Sequence, residues 1–195
     1  MNLIDQIKQL REETGLSVSE IKNALEKTKG DINKAREILK TLGKSVSEKK
    51  SLRETKAGLI DSYLHPNGKV GVLLDIRCET DFVAKSSDFR QLAHEVCLQI
   101  AAMKPLFISE NDIPEDFLDK EKNLYREQFV NSGKPQKIID QIIEGKLNKY
   151  KKDVCLLLQS WIKDDSKIVK DLVESTIAKI GEKVEIKKFT RYEIN

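Results

Sequence analysis

Residues 57–78 read AGLIDSYLHPNGKVGVLLDIRC, two β-rich runs with His65-Pro66-Asn67-Gly68 between them. An Asn-Gly pair accepts the positive φ values that a tight turn requires, so this stretch predicts a β-hairpin. We place its two strands at 57–64 and 69–78. The hairpin makes an antiparallel sheet the expected centre of this part of the chain.

The sequence after the hairpin has the spacing of helices. Apolar residues recur every three or four positions from Ala84 until Lys104-Pro105, which stops the pattern. Prolines then stand near the starts of two further helices, at 114–130 and 135–150. We predict that these two helices form an antiparallel pair.

Three more segments complete the C-terminal part of the chain. We predict an irregular segment at 154–165, a last helix at 166–180 and a closing strand at 184–194. Strands separated by blocks of helix and joined by one hairpin indicate an α+β fold, with an antiparallel sheet packed with helices.

Three short helices are predicted before the hairpin, and they form a compact module. The first ends near Glu13. The second begins with the capping-box spacing Ser17-Val18-Ser19-Glu20 and ends by Gly30. Asp31 is a good N-cap for the third helix, which Gly43 closes.

The stretch from Lys44 to Lys56 is polar and of mixed charge, so it predicts an exposed connection or a solvated helix. We place the domain boundary in this stretch. The chain then divides into a three-helix N-terminal module at 1–45, a linker at 46–56 and an α+β core at 57–195.

Composition limits the class of partner. The chain has 195 residues, of which 39% are hydrophobic and 34% are charged, with a formal net charge of +3. Because the charges nearly cancel, no sustained positive field attracts phosphates, and we expect no direct nucleic-acid partner. The N-terminus does not read as a signal peptide, and no apolar run is long enough to span a bilayer. A cytoplasmic protein is expected.

The cysteines do not form a recognisable chemical pattern. Cys78, Cys97 and Cys155 are odd in number and far apart, which argues against a disulfide framework and a zinc site, and we expect no cofactor. Cys78 ends an apolar strand and Cys97 lies on the inward stripe of a helix, where a free cysteine usually acts as a small hydrophobe.

A catalytic reading needs a nucleophile and a base, which Cys78 with Glu79 and either His65 or His94 contain in principle. The hairpin separates Cys78 from His65, which disfavours this reading. A phosphate loop is not indicated either, because Gly133-Lys134 lacks the upstream glycine and the following Ser or Thr. The sequence favours a protein that is not an enzyme and does not itself bind nucleotide.

The segment Cys78-Glu79-Thr80-Asp81-Phe82-Val83-Ala84-Lys85 places an aromatic residue and an acid on a short link between a strand and a helix. From spacing alone, Asp81 reads more readily as an N-cap and Phe82 as a core anchor than as parts of a binding surface. A binding role is the alternative.

This segment, continued through Ser86-Ser87-Asp88-Phe89, closely resembles the signature of the elongation factor Ts family. Further resemblances follow in the order of the family, at 10–15, 22–25, 30–31, 104–108, 132–135, 143–146 and 187–192. The N-terminal module resembles the family's ubiquitin-associated-like three-helix module. Two departures are Leu16-Ser17-Val18-Ser19, in place of a small, Met-rich loop, and Ser160, in place of a proline.

The resemblance implies a guanine nucleotide exchange factor, which binds elongation factor Tu·GDP and promotes GDP release during translation elongation by disturbing the magnesium and phosphate site. It implies Asp81 and Phe82 as the wedge that enters the partner. Other implied contacts with elongation factor Tu are Thr80, Val83, Arg11, Lys22 and His65.

The chain has one hairpin-containing core where longer members of the family carry two related copies. Short members are thought to pair two subunits, so the resemblance also implies a homodimer formed by the domain at 57–195. The rival function is a plain interaction module, in which a ubiquitin-associated-like three-helix head is joined to an unrelated α+β adaptor that has no effect on nucleotide. Phe82 distinguishes the two, because a buried Phe82 favours the adaptor and a protruding one favours exchange.

Overall fold

The structure, a computed structural model, describes residues 2–50, 52–129 and 135–194, and only the backbone of residues 44–50. Two compact units divide the chain: Met1–Leu98 together with Lys170–Asn195, and Gln99–Val169. The predicted α+β class, with three helices followed by an antiparallel sheet and further helices, is confirmed. The division at 1–45, 46–56 and 57–195 stays a prediction.

Three helices begin the first unit: α1 at Leu3–Thr14, α2 at Val18–Lys27 and α3 at Ile32–Lys50. The predicted caps are confirmed, because Ser17 and Glu20 form a reciprocal capping box and Asp31 accepts hydrogen bonds from two backbone N–H groups at the start of α3. The core of the module contains fully buried side chains from all three helices, among them Leu10, Ile21, Leu25 and Leu39.

The predicted end of the third helix at Gly43 is wrong, because α3 continues to Lys50. Gly43 does not adopt the positive φ that Gly15 and Gly30 have, and that conformation is what ends a helix at glycine. The residues that follow contain no proline, so nothing in the chain stops the helical hydrogen bonds there. The first part of the predicted linker is therefore helical.

The predicted hairpin is confirmed, with β1 at Ala57–Leu64 and β2 at Val70–Cys78. His65 donates its backbone N–H to the carbonyl of Val70 at 2.8 Å, and Gly68 adopts a φ of 68° in the turn. Beyond β2 the sheet is completed by the C-terminal strand, β5 at Val184–Glu193, so that β2 lies between β1 and β5 with antiparallel pairing on both sides.

Three helices are connected directly to the strands of this sheet along the chain. Two follow β2, α4 at Asp81–Ala84 and α5 at Ser87–Met103, and one precedes β5, α8 at Val169–Ile180. On α5, Phe89 and Val96 are completely buried, as the three- and four-residue spacing predicts. The chain leaves β2 and enters α4 within three residues, so the strand fixes where α4 begins.

The second unit contains the predicted helix pair, α6 at Glu115–Glu127 and α7 at Gln136–Val154. Phe117 stacks near Tyr150, and Lys146 lies over the ring of Tyr125. The later residue of α6, Tyr125, therefore lies against the earlier residue of α7, Lys146, so the pair is antiparallel as predicted. The predicted helix end at Val130 and the motif residues 132–134 lie outside the described residues.

The prediction of an irregular segment at 154–165 and of a helix from Ser166 is wrong. The chain forms a second small hairpin, with β3 at Ser160–Trp161 and β4 at Asp164–Ile168, and α8 begins only at Val169. Asp164, the first residue of β4, accepts a hydrogen bond from the hydroxyl of Ser166 on the same strand. The fully buried Gln99 also accepts the backbone N–H of Ile162, a contact that no local pattern reveals.

Within the first unit, the N-terminal module packs against α8. Gly15 has a φ of 67°, and a Cβ added to it would lie 2.5 Å from the Cα of Lys179. Ala178 packs against the core of the module, and Lys40 forms an ion pair with Asp171 at 3.5 Å. A side chain at position 15 would therefore separate two packed elements.

We predict that Gly15→Ala lowers the free energy of unfolding by more than Gly30→Ala does. Both glycines have positive φ, but a Cβ at Gly30 meets nothing within 4 Å, so that variant reports backbone strain alone. We expect a loss of about 1 kcal/mol for Gly30→Ala and about 2 kcal/mol or more for Gly15→Ala. Guanidinium unfolding followed by circular dichroism measures both, and equal losses would contradict the close packing at Gly15.

Candidate functional site

The one-turn helix α4 presents its first two residues to solvent and its last two to the interior. The side chain of Phe82 is 85% exposed and Asp81 is also exposed, whereas Val83 and Ala84 are buried. A large aromatic side chain that is exposed to this extent contributes almost nothing to the fold of its own chain. Its position next to an acid on the surface is typical of a contact site.

The interpretation of Asp81 as N-cap and Phe82 as core anchor is therefore wrong. The N-cap of α4 is Thr80, whose hydroxyl oxygen accepts a hydrogen bond from the backbone N–H of Val83 at 3.4 Å. The core anchor of the segment is Val83. Asp81 and Phe82 are the two residues of α4 that are free to meet a partner.

The start of α4 is held by residues from the other end of the chain. The carboxylate of Glu182 accepts the hydroxyl of Thr80 at 2.7 Å and the backbone N–H of Thr80 at 3.0 Å. Glu79 accepts the backbone N–H of Lys183 at 2.6 Å and pairs with Arg53 at 3.3 Å. Sequence reasoning missed Glu182, because 102 residues separate it from Thr80 and no local pattern marks it.

The remaining predicted contact residues lie on the same unit as α4. Arg11 is exposed in the last turn of α1, and Lys22 is exposed on α2. His65 is exposed at the turn of the hairpin, where its Nδ1 lies 3.1 Å from the hydroxyl of Tyr63. The structure brings Thr80 to Val83 together at the start of α4, with Val83 buried, and places His65 at the other end of the hairpin from Cys78.

The cysteines are placed and protonated in a way that opposes nucleophilic chemistry. Burial, with a smaller contribution from the charge of Glu182, raises the pKa of Cys78 to about 11. Burial likewise raises the pKa of Cys97 to about 12 and that of Cys155 to about 11. All three are completely buried free thiols, so the thiolate that attacks substrates is scarce near neutral pH.

Within residues 2–50, 52–129 and 135–194, no group of three or more His, Cys, Asp or Glu side chains is arranged to hold a metal ion. No helix among those described is both long enough and apolar enough to cross a membrane.

The sequence is similar to those of known proteins along almost its whole length. The model of the family described as elongation factor TS matches residues 1–195. Elongation factor Ts of Thermotoga neapolitana is 49% identical over 191 residues, which cover 98% of this chain and 96% of that protein. The proteins of the same name from Thermotoga maritima and Fervidobacterium nodosum are 48% and 47% identical, and each alignment covers 95% of the relative.

We predict that the three thiols of the folded chain react slowly with iodoacetamide at about pH 8. A pKa of about 11 instead of 9.0 lowers the thiolate fraction of Cys78 about 100-fold, and burial slows access further. The same chain in concentrated denaturant is the control, with modified cysteines identified by mass spectrometry. Modification of Cys78 in the folded chain at the rate of the denatured chain would contradict its burial and its raised pKa.

Proposed function

The chain belongs to the elongation factor Ts family, and we propose that it binds elongation factor Tu·GDP and promotes release of the nucleotide. The family makes it a translation elongation factor. The single observation that supports exchange over a plain adaptor is the exposure of Phe82 beside Asp81 on an anchored turn.

Phe82 is the principal contact in this proposal. Aromatic side chains that become buried at the centre of an interface are frequent hot spots, and their truncation removes about 2 kcal/mol or more of binding free energy. Asp81 stands beside it and supplies a charge that orients the contact. Both residues enter the nucleotide-binding domain of the partner and shift groups that support its magnesium ion.

Small displacements at the magnesium site have large effects. Magnesium requires nearly octahedral coordination by oxygen, so a shift of its supporting groups weakens the hold on the phosphates. A nucleotide bound with nanomolar affinity has a binding free energy of roughly 12 kcal/mol, and the factor has to remove several of these by coupling. Linkage makes the effect reciprocal, so an incoming nucleotide displaces the factor.

In this proposal the chain is not an enzyme, because it makes and breaks no covalent bond. It binds no nucleotide, cofactor or nucleic acid itself, and it works in the cytoplasm with its partner. Arg11 and Lys22 on the N-terminal module and His65 at the hairpin turn supply further contacts with elongation factor Tu. Their exposure on the same unit as α4 supports this assignment.

We also propose that the chain is a homodimer joined through the outer face of its sheet. The register of the sheet places Ile60, Leu64, Leu73 and Tyr192 on one face, and all four side chains are exposed. The solvent face of an antiparallel sheet is normally polar, and this one also carries polar residues such as Ser62 and Asp75. Four large exposed apolar side chains on one face nevertheless support a covering partner. A second copy related by a two-fold axis would cover each face with the other.

The exchange proposal predicts that the wild-type chain accelerates release of a fluorescent GDP analogue from elongation factor Tu in the presence of excess unlabelled GDP. We expect Phe82→Ala to reduce this acceleration about 30-fold at subsaturating concentration, as a loss of about 2 kcal/mol implies. Leu124→Ala on α6, which truncates a side chain that is 52% exposed, is the control and should retain full activity.

Both variants should keep the thermal stability of the wild type, because neither side chain belongs to a core. Full acceleration by Phe82→Ala would keep the exchange function and place the contact elsewhere. No acceleration by a folded wild-type chain with its cognate partner would remove the exchange proposal and leave the adaptor.

The dimer proposal predicts that the wild-type chain sediments as a dimer at micromolar concentration and that Leu73→Lys converts it to a monomer. A charge placed between the apolar side chains of this face loses hydration when a second copy covers it, which is unfavourable. Leu124→Lys is a matched control, since Leu73 and Leu124 are both 52% exposed. A monomeric wild type would contradict the homodimer, and a dimer that survives Leu73→Lys would contradict this interface.

A further inference from the structure

The helix α4 is too short to maintain its own conformation. It has four residues, and a single helical turn is unstable in water because too few hydrogen bonds compensate for the ordering of its backbone. The side chains of Asp81 and Phe82 are exposed to solvent and are not packed against the core. The orientation of the wedge therefore depends on what holds the two ends of this turn.

The C-terminal end of α4 is held by burial and its N-terminal end by hydrogen bonds. Val83 and Ala84 are buried, and the hydroxyl of Ser86 donates to the carbonyl of Val83 at 2.7 Å. Thr80, at the other end, is exposed and has no apolar anchor of its own. Its position depends on the contacts of its backbone and its hydroxyl.

Glu182 satisfies both donors of Thr80 with one carboxylate. Its Oε1 accepts the hydroxyl at 2.7 Å and its Oε2 accepts the backbone N–H at 3.0 Å. The same hydroxyl oxygen accepts the N–H of Val83, which is compatible because a hydroxyl has one proton and two lone pairs. Hydrogen bonds to an ionised carboxylate are stronger than those between neutral groups.

Glu182 itself stands on a defined turn. Helix α8 ends at Ile180, Gly181 follows with a φ of 78°, and its N–H closes the helix on the carbonyl of Ile177. Next to Glu182, the backbone N–H of Lys183 donates to Glu79 at 2.6 Å. Glu79 and Thr80, which follow β2, are thus hydrogen-bonded to Lys183 and Glu182, which follow α8.

We propose that Glu182 is a positioning residue for nucleotide exchange, which holds Thr80 and thereby fixes the direction in which Asp81 and Phe82 leave the surface. This inference rests on the proposed exchange function. Glu182 acts through Thr80 and needs no contact with the partner. Its removal leaves the wedge residues present but releases the turn that carries them.

The first test measures the structural step in the free chain, by hydrogen exchange of the Thr80 amide followed by NMR. We expect Glu182→Ala to speed exchange of this amide about tenfold or more, because the amide loses its acceptor. Glu182→Gln keeps one carbonyl oxygen and should give an intermediate rate. Glu144→Ala on the exposed surface of α7 makes the same change of charge and should match the wild type. An unchanged Thr80 rate in Glu182→Ala would overturn the inference.

The second test measures GDP release with Glu182→Ala in two backgrounds. If Glu182 acts through the wedge, its removal reduces the acceleration about tenfold in the wild type but has little further effect in Phe82→Ala, because the two residues share one step. A merely structural role would give the same fold reduction in both backgrounds, and that result would overturn the inference. Glu182→Gln should restore part of the activity, which also covers the case in which Glu182→Ala folds poorly.

The two tests separate failure of this inference from failure of the proposed function. Faster Thr80 exchange in Glu182→Ala, combined with a wild-type chain that does not release GDP, would overturn the exchange function and the positioning role together, while the contact between Glu182 and Thr80 would stand. Normal GDP release by wild type with no effect of Glu182→Ala would overturn the positioning role alone.

Discussion

The pairing of β2 with strands on both sides is the constraint from which the position of the candidate site follows. Leu74, Ile76 and Cys78 on this strand are completely buried, so its register against β1 and β5 cannot shift by one residue without turning its apolar side chains outward. Because α4 begins three residues after the strand ends, a fixed register also fixes where Thr80 stands. The strand is therefore both the centre of the sheet and the element that positions the candidate site.

In the candidate site, the residues that stabilise the turn differ from those proposed to contact a partner. In α4, the first two residues and the last two differ in environment: Asp81 and Phe82 face solvent, while Val83 and Ala84 are buried and hold the turn. An exposed phenylalanine is unfavourable for solubility and neutral for folding, so its presence on an anchored turn is consistent with a partner that buries it. Substitution of Phe82 can consequently be interpreted as a change in binding, because the fold does not depend on that side chain.

Local chemistry made much of the fold predictable. The Asn67-Gly68 turn, the capping box at Ser17 and the N-cap at Asp31 are each encoded within a few residues, and the structure has all three. The glycine at 43 misled the prediction because glycine permits a helix end without requiring one. The hairpin at 160–168 was missed because it depends on Gln99, which lies 63 residues from Ile162 in the sequence.

The candidate site shows the same difference between features encoded locally and features that depend on distant residues. Spacing placed Phe82 in the core, since a four-residue helix is too short to show its own apolar face and its residues merge with the pattern of α5. Only the resemblance to a family pointed to a surface role, and the exposure of Phe82 agrees with it. Glu182 was beyond reach of either argument, because a hydrogen bond across 102 residues leaves no periodicity in the sequence.

An exchange factor of the kind proposed above has to bind well enough to displace nucleotide and weakly enough to dissociate again. Immobilising flexible groups at an interface consumes binding free energy, and a contact that is already ordered in the free chain avoids that loss. The carboxylate of Glu182 and the burial of Val83 order the turn before any partner arrives. A small, pre-ordered contact can then direct most of its binding free energy to the displacement of groups in the partner, and it stays small enough for the incoming nucleotide to reverse it.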